Sequence, residues 1–346
     1  MTADRIRLQL HKDLEGLMNL REEWNLLLRD SPTNTLFQTW EWNQLWWRHY
    51  GHPGHLFLLT ARNSRNSLLG IAPLFHGGDA DNMKYIQFIG GTELSDYLDF
   101  IVLEGEETVF YSAVFQFLKA NPGFWDAVDL HCLPADSPTL EGLRRYCQQN
   151  GILGNVSVED VCPRAELPSS WNAFLSGMRQ KDRHEIKRKI KRLTREAANF
   201  RYLVTTPSCF SQDIESFLEL HRKSDPSKMV FMNPEREAFF REMAWTLLQK
   251  GWLELSFLEV DGKRLAALLN FRYGDTVYVY NSGYDPEFHH WSPGWVLVSY
   301  SIQDAIERGV KRYDFLRGGE SYKYRFSAID FEIYRYTIER REEPLH

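Results

Sequence analysis

The chain has 346 residues, enough for two domains or one large one, with an ordinary globular balance of 43% hydrophobic and 25% charged residues. Its net charge of -6 argues against a general nucleic-acid binder, although residues 179–196 hold nine Lys/Arg against three Asp/Glu. Aromatics reach 14%, with 11 Trp and 16 Tyr, a supply suited to wide clefts or stacking surfaces. Cys132, Cys147, Cys162 and Cys209 show no CxxC or zinc spacing and read as reduced thiols. Neither the polar start MTADRIRLQL nor any later run reads as a signal peptide or a transmembrane segment, so a cytoplasmic location is expected.

Ile6, Leu8 and Leu10 alternate with polar residues and predict an opening strand. Leu17, Leu20, Trp24, Leu27 and Leu28 then predict one amphipathic helix over 14–29. Residues 37–47 read as a loop entering a helix with Trp40, Trp42, Trp46 and Trp47. The indoles either pack in a core or wall a substrate cleft, and the second reading makes Trp42 a substrate-binding candidate. His49, His52 and His55 recur every third residue, but Gly51, Pro53 and Gly54 interrupt them and no carboxylate joins, so no metal site is expected. A hairpin over 56–61 and 67–75, strands at 85–89 and 97–103, a helix at 107–119, a strand at 127–133 and a helix at 140–150 complete an α/β unit.

The Pro-containing stretch 162–168 predicts a boundary, giving domains 1–165 and 166–346. Ile186, Ile190, Leu193 and Ala197 form a narrow apolar stripe on an otherwise charged helix over 179–198. That pattern fits a solvated helix laid on the domain, or a phosphate- or RNA-binding surface. Next come a strand at 200–205, helices at 209–223 and 235–250, and a hairpin of 253–260 with 264–273 around Asp261-Gly262-Lys263. Thr276 to Tyr280 predicts a strand bounded by Asn281-Ser282-Gly283. Ser292-Pro293-Gly294 has the form of a helix start, Ser at the N-cap and Pro at the first helical position, with Trp295, Val298, Ile302 and Ile306 following and Gly309 at the end. Its free N–H groups make it a candidate phosphate site. Strands at 310–316 and 331–339 close the chain, and the similar order of the two halves points to internal duplication.

This order, together with Phe37-Gln38, Trp40-Glu41-Trp42, Gly70-Ile71-Ala72-Pro73-Leu74, Asp96-Tyr97-Leu98-Asp99-Phe100, Leu220-His221-Arg222, Ser282-Gly283-Tyr284-Asp285-Pro286, Ser292-Pro293-Gly294, Asp314-Phe315-Leu316-Arg317-Gly318 and Tyr322-Lys323, resembles the GNAT acyltransferases. Within them it is similar to the FemAB-related branch with CelD-like and BioF2-like domains. The resemblance implies an α/β fold of tandem GNAT-like mixed sheets flanked by helices, with the acyltransferase domain second. It implies an acyl-CoA donor, no metal, and an amine or hydroxyl acceptor on a sugar, peptide or envelope precursor. Ser292-Pro293-Gly294 stands where ordinary GNATs carry Gln/Arg-x-x-Gly-x-Gly/Ala, so a Fem-like aminoacyl-tRNA donor stays open. So does a non-catalytic accessory role in polysaccharide biosynthesis. The basic helix is the place for a tRNA or an anionic lipid-linked substrate.

Acyl transfer needs a deprotonated acceptor, a stabilised oxyanion and a protonated leaving group. The catalytic candidates are Asp285 and Asp314 as base or orienting groups and Tyr322 as proton donor. Turn and strand-end roles serve the two carboxylates equally well. Tyr284, Ser292, Pro293, Gly294 and Trp295 are the cofactor-binding candidates. His221, Arg317, Lys323 and Arg325 join Trp42 as substrate-binding candidates, with a core histidine and surface ion pairs as the alternatives.

Overall fold

A computed structural model describes residues 6–78, 83–197 and 199–340. The chain forms two compact units, Met1–Asp160 with Glu332–His346, and Val161–Phe331. Both are mixed α/β, as the expected fold class requires.

The first unit holds two sheets. Strands β1 (Arg7–His11), β2 (Leu58–Arg62), β3 (Leu68–Ala72) and β6 (Ile101–Val102) form one antiparallel sheet in the order β1-β2-β3-β6. Strands β4 (Leu74–Gly78), β5 (Lys84–Phe88), β7 (Ala127–Pro134), β15 (Glu332–Glu339) and β8 (Gly154–Val161) form the other, in that order, with β5 and β7 parallel. The single helix expected over 14–29 is two, Leu14–Met18 and Arg21–Arg29, because the first ends at Asn19 and restarts after Leu20. The 97–103 segment pairs only at Ile101–Val102.

The Trp-rich helix runs Trp40–Tyr50, capped by Thr39, whose hydroxyl accepts from Trp42 N. Its indoles are core residues, and Trp40 and Trp42 have partners for their N–H groups, as buried Trp requires. Trp40 Nε1 donates to the Leu17 carbonyl at 3.0 Å and Trp42 Nε1 to Ser95 Oγ at 2.8 Å.

The second unit is built on one six-stranded sheet. Its order is β10 (Phe200–Val204), β11 (Leu253–Val260), β12 (Lys263–Tyr273), β13 (Thr276–Tyr284), β14 (Arg312–Asp314) and β9 (Arg164–Glu166). Strand β11 is buried throughout and β12 from Leu265 to Phe271, as in strands covered on both faces. Leu268, Val277 and Val279 pack with Val296, Ile302, Ile186 and Leu193, from helix Pro293–Glu307 and the basic helix Gln180–Glu196. Tyr280 instead packs on Phe271 and on Phe240 of helix Pro234–Gln249. The apolar stripe of the basic helix is therefore a packing face.

Two irregularities on β13 shape the site. Asn281 pairs with Leu269 while Val279 pairs with Asn270, so Tyr280 is the extra residue of a bulge. Pairing with β12 continues to Tyr284, but the parallel ladder with β14 covers only residues 276–278. Asn281-Ser282-Gly283, expected to end the strand, instead continues it, because β12 supplies its hydrogen-bond partners. Residues 279–284 thus have no ladder on the β14 side.

Candidate active site

What opens the β13 edge is Asp314. It is 1% exposed, its Oδ2 accepts from Arg164 Nε at 2.8 Å, and its Oδ1 accepts from Leu316 N at 2.8 Å. Leu316 takes a positive φ of 56°, turning the chain out of the sheet. One carboxylate oxygen of Asp314, an expected base or orienting group, is thus committed to this turn and the other to Arg164 of β9.

A cavity of about 320 Å³ lies at the unpaired end of β13. Ser282, Gly283 and Tyr284 of β13 line it, with Ala267 and Leu268 of β12 alongside. Ser292, Pro293, Gly294, Trp295 and Val298 come from the start of helix Pro293–Glu307, Lys189 from the basic helix, His289 from the 3-10 helix Pro286–Trp291 and Tyr322 from a loop. All five cofactor-binding candidates and Tyr322 therefore share one cavity.

Ser292 is the N-cap residue, as expected, but its side chain does not cap the helix. It sits at φ 52°, ψ 52°, and its Oγ accepts from Lys189 Nζ at 2.8 Å. Lys189 also lies 4.7 Å from the Trp295 ring centroid and 3.4 Å from Glu185 Oε1. Pro293 has no N–H, and the N–H groups of Gly294 and Trp295 fall in the first turn, where no i−4 carbonyl serves them. Two free donors, the positive end of a 15-residue helix and an ammonium thus meet at one end of the cavity. The arrangement suits a phosphate-bearing ligand.

Tyr322 is half-buried against Phe315, and burial followed by the Glu320 charge pushes its phenol well up, so it stays protonated and able to donate. Tyr284 is 38% exposed at the rim.

The other candidates lie elsewhere. Asp285 accepts from Glu287 N at 3.1 Å and pairs with Lys263 at 3.3 Å, holding the turn Pro286–Trp291. Lys323 is 2% exposed and donates to the carbonyls of Leu316, Arg317 and Gly318 at 3.0, 2.7 and 2.8 Å. It clamps the turn that follows Asp314, with all three of its protons used. Arg317 lies half-buried in that turn. Arg325 donates to Asp182 Oδ1 at 2.8 Å, fastening the basic helix rather than a substrate. Trp42 is 0% exposed in the core of the first unit. His221 is 1% exposed between Phe217 and Phe231. None of these six is among the residues that line the cavity.

Lys189, Ser282 and His289 were missed. Lys189 was legible in part, since it flanks Ile186, Ile190 and Leu193 and so must lie at the edge of the buried stripe. Nothing local marks Ser282, because its place follows from the end of the β14 ladder.

Residues 180–324 match the family model described as an acetyltransferase (GNAT) domain. FemX shares the fold over 91% of this chain and 95% of its own, with a TM-score of 0.65 at 11% identity. The chain shares the fold of FemX, and its residues 180–324 resemble GNAT acetyltransferase domains. A conserved protein of unknown function from Bacteroides thetaiotaomicron covers 96% of this chain and 100% of its own, with a TM-score of 0.63 at 9% identity. The C-terminal domain of a putative lysylphosphatidylglycerol synthetase from Agrobacterium fabrum covers 94% and 93%, with a TM-score of 0.56 at 11% identity. No curated protein matches the sequence. The GNAT match falls wholly in the second unit and contains the cavity. Among the described residues no helix is long and apolar enough to cross a membrane, and no cluster of His, Cys, Asp and Glu could hold a metal ion.

Proposed function

We propose that the protein is an acyltransferase that moves an acyl group from acyl-CoA to an amine or hydroxyl of a sugar, peptide or envelope-related acceptor. The observation that carries this is the meeting of the Gly294 and Trp295 N–H groups with Lys189 at the end of a cavity that follows the unpaired β13 edge. The donor's pyrophosphate lies on those groups, and its pantetheine arm extends along the edge of β13 that the β14 ladder does not cover. The acceptor nitrogen or oxygen attacks the thioester carbonyl, the new C–N or C–O bond forms and the C–S bond breaks; the Tyr322 phenol gives its proton to the departing thiolate, and the proton lost by the acceptor returns through solvent to the Tyr322 phenolate. Much of the rate comes from holding the reactants together, so the commitment of Asp285 and Asp314 elsewhere leaves this chemistry intact.

The test is binding of acetyl-CoA and longer acyl-CoAs, read by calorimetry and thermal shift. Dissociation constants in the micromolar range are expected. A flat response across the panel overturns the reading.

A second donor, aminoacyl-tRNA, is favoured by one observation. Lys181, Arg183, Lys187 and Lys191 on the basic helix are outside the ion pairs that engage Arg179, Arg188, Arg192 and Arg195. FemX and the synthetase domain share the fold, which keeps this donor and a lipid-linked acceptor in play. Binding of tRNA that weakens steeply with salt, and is lost when these four residues become Gln, would establish it.

A further inference from the structure

Beside the open stretch of β13 lies a set of polar groups that the donor cavity leaves unused. Lys228, on the short helix Pro226–Phe231, donates to the Ser282 carbonyl at 2.6 Å, with Ser282 Oγ at 3.4 Å. Ser282 itself lines the cavity. A lysine ammonium has three protons to place, and the described ion pairs give Lys228 no carboxylate. Burial lowers its pKa, while Asp225 and Glu320 oppose that through space.

His221 adds a second unmet group. Its ring is 1% exposed, Asn281 of β13 hydrogen-bonds it, and Nδ1 has no partner. Burial and then the Lys228 charge lower its pKa to about 4, so the ring is neutral at pH 7. The helix that carries it lies directly on the strand, since a Cβ on Gly283 would come within 2.3 Å of His221 N. Gly283 is therefore required at this crossing.

An ammonium held partly out of water with no carboxylate in contact is costly, and buried polar atoms without partners are rare. Here an ammonium with no carboxylate in ion-pair contact among the described residues and one unpartnered ring nitrogen adjoin the strand end at which transfer is proposed. A neutral acceptor would leave that ammonium without a contacting anion. An acceptor with an anionic group next to its nucleophile would supply one.

Resting on the acyltransferase reading above, we propose that Lys228, with Ser282 and His221, forms the acceptor subsite, and that the acceptor carries an anionic group, a carboxylate or a phosphate. Lys228 then acts as a specificity residue. It releases part of its hold on the Ser282 carbonyl to grip the anion while the adjoining amine or hydroxyl faces the acyl carbon.

The experiment measures binding to the full chain by calorimetry with paired probes: alanine against alaninamide, and glucosamine 6-phosphate against glucosamine. Acetyl-CoA is run in parallel on the same samples. At least one anionic probe is expected to bind about 10-fold or more tightly than its neutral partner. Which pair shows the preference separates carboxylate from phosphate. Lys228→Met should erase the preference and keep acetyl-CoA binding, and Lys228→Arg should keep both. Equal or absent binding of both members of both pairs, or a preference that survives Lys228→Met, overturns the proposal. An acetyl-CoA response without anion preference sinks this inference alone, whereas anion preference without any acyl-CoA response sinks the donor reading and leaves an anion site. Should Lys228→Met fail to fold, Lys228→Gln gives the same comparison.

Discussion

Lys189 Nζ donates a 2.8 Å hydrogen bond to Ser292 Oγ, joining the middle of the basic helix to the residue that precedes the helix Pro293–Glu307. The contact aims an ammonium at the place where the first-turn N–H groups emerge. Lys189→Met should therefore weaken acyl-CoA binding about 10-fold, near 1.4 kcal/mol, by calorimetry. Its ion pair with Glu185 is partly exposed, so the change in unfolding free energy should stay below about 1 kcal/mol. Unchanged affinity would remove Lys189 from the donor site.

Gly294 separates the protein's own needs from the ligand's. A Cβ there meets nothing within 4 Å, and the backbone does not demand glycine. Gly294→Ala should fold as well as the parent or gain up to about 1 kcal/mol through a stiffer unfolded chain. Acyl-CoA affinity should nevertheless fall, since the methyl enters the space assigned to the pyrophosphate. If affinity and melting temperature both hold, the donor does not approach this turn.

Asp314 and Tyr322 should fail in different ways. Asp314→Asn leaves Arg164 facing a neutral amide, and breaking so buried a pair should cost about 3 kcal/mol in urea unfolding. Activity should fall only as the folded fraction falls. Tyr322→Phe should leave the unfolding curve in place and lower kcat by about 100-fold, the usual contribution of a positioned acid. A stable but inactive Asp314→Asn would restore the carboxylate to the chemistry.

In the first unit, Asp99 is fully buried and accepts hydrogen bonds from the Ser137 and Thr139 hydroxyls. Burial outweighs those bonds and raises its pKa to about 7. For an acid raised on folding, the folded state holds the extra proton between the unfolded pKa, near 4, and 7. Its contribution to stability is therefore greatest below about pH 4 and declines as pH rises to 7, by up to about 1.4 kcal/mol per unit. Asp99→Asn should flatten that part of the unfolding profile. A slope that persists in the variant would have to come from other groups.

Strands 200–204, 253–260, 263–273 and the basic helix could be read almost to their ends, since apolar period and turn residues act locally. The helix over 14–29 and the strand over 97–103 could not, because their breaks depend on what packs beside them. Among the candidates, Ser292, Pro293, Gly294 and Trp295 followed from a helix-start pattern, and Tyr284 and Tyr322 from motifs that resemble those of GNAT acyltransferases. Asp285, Asp314, Lys323 and Arg325 carry the right chemistry for a site and spend it on turns and ion pairs. Residue type alone cannot tell these uses apart.

By itself, then, the sequence determined the mixed α/β class, the helix start at Pro293 and the concentration of positive charge at 179–196. Propensity, capping and charge are properties of short stretches, so no distant contact is needed to read them. Tertiary structure decided which polar groups remain available. The β14 ladder ends at Asp314, the Leu316 turn leaves β13 without a β14 partner from 279 to 284, and Lys189 and Lys228 reach that opening from helices remote in the chain. Such availability is what is left after burial and hydrogen bonding are settled across the whole unit, and it exists only once the sheet and its helices have packed.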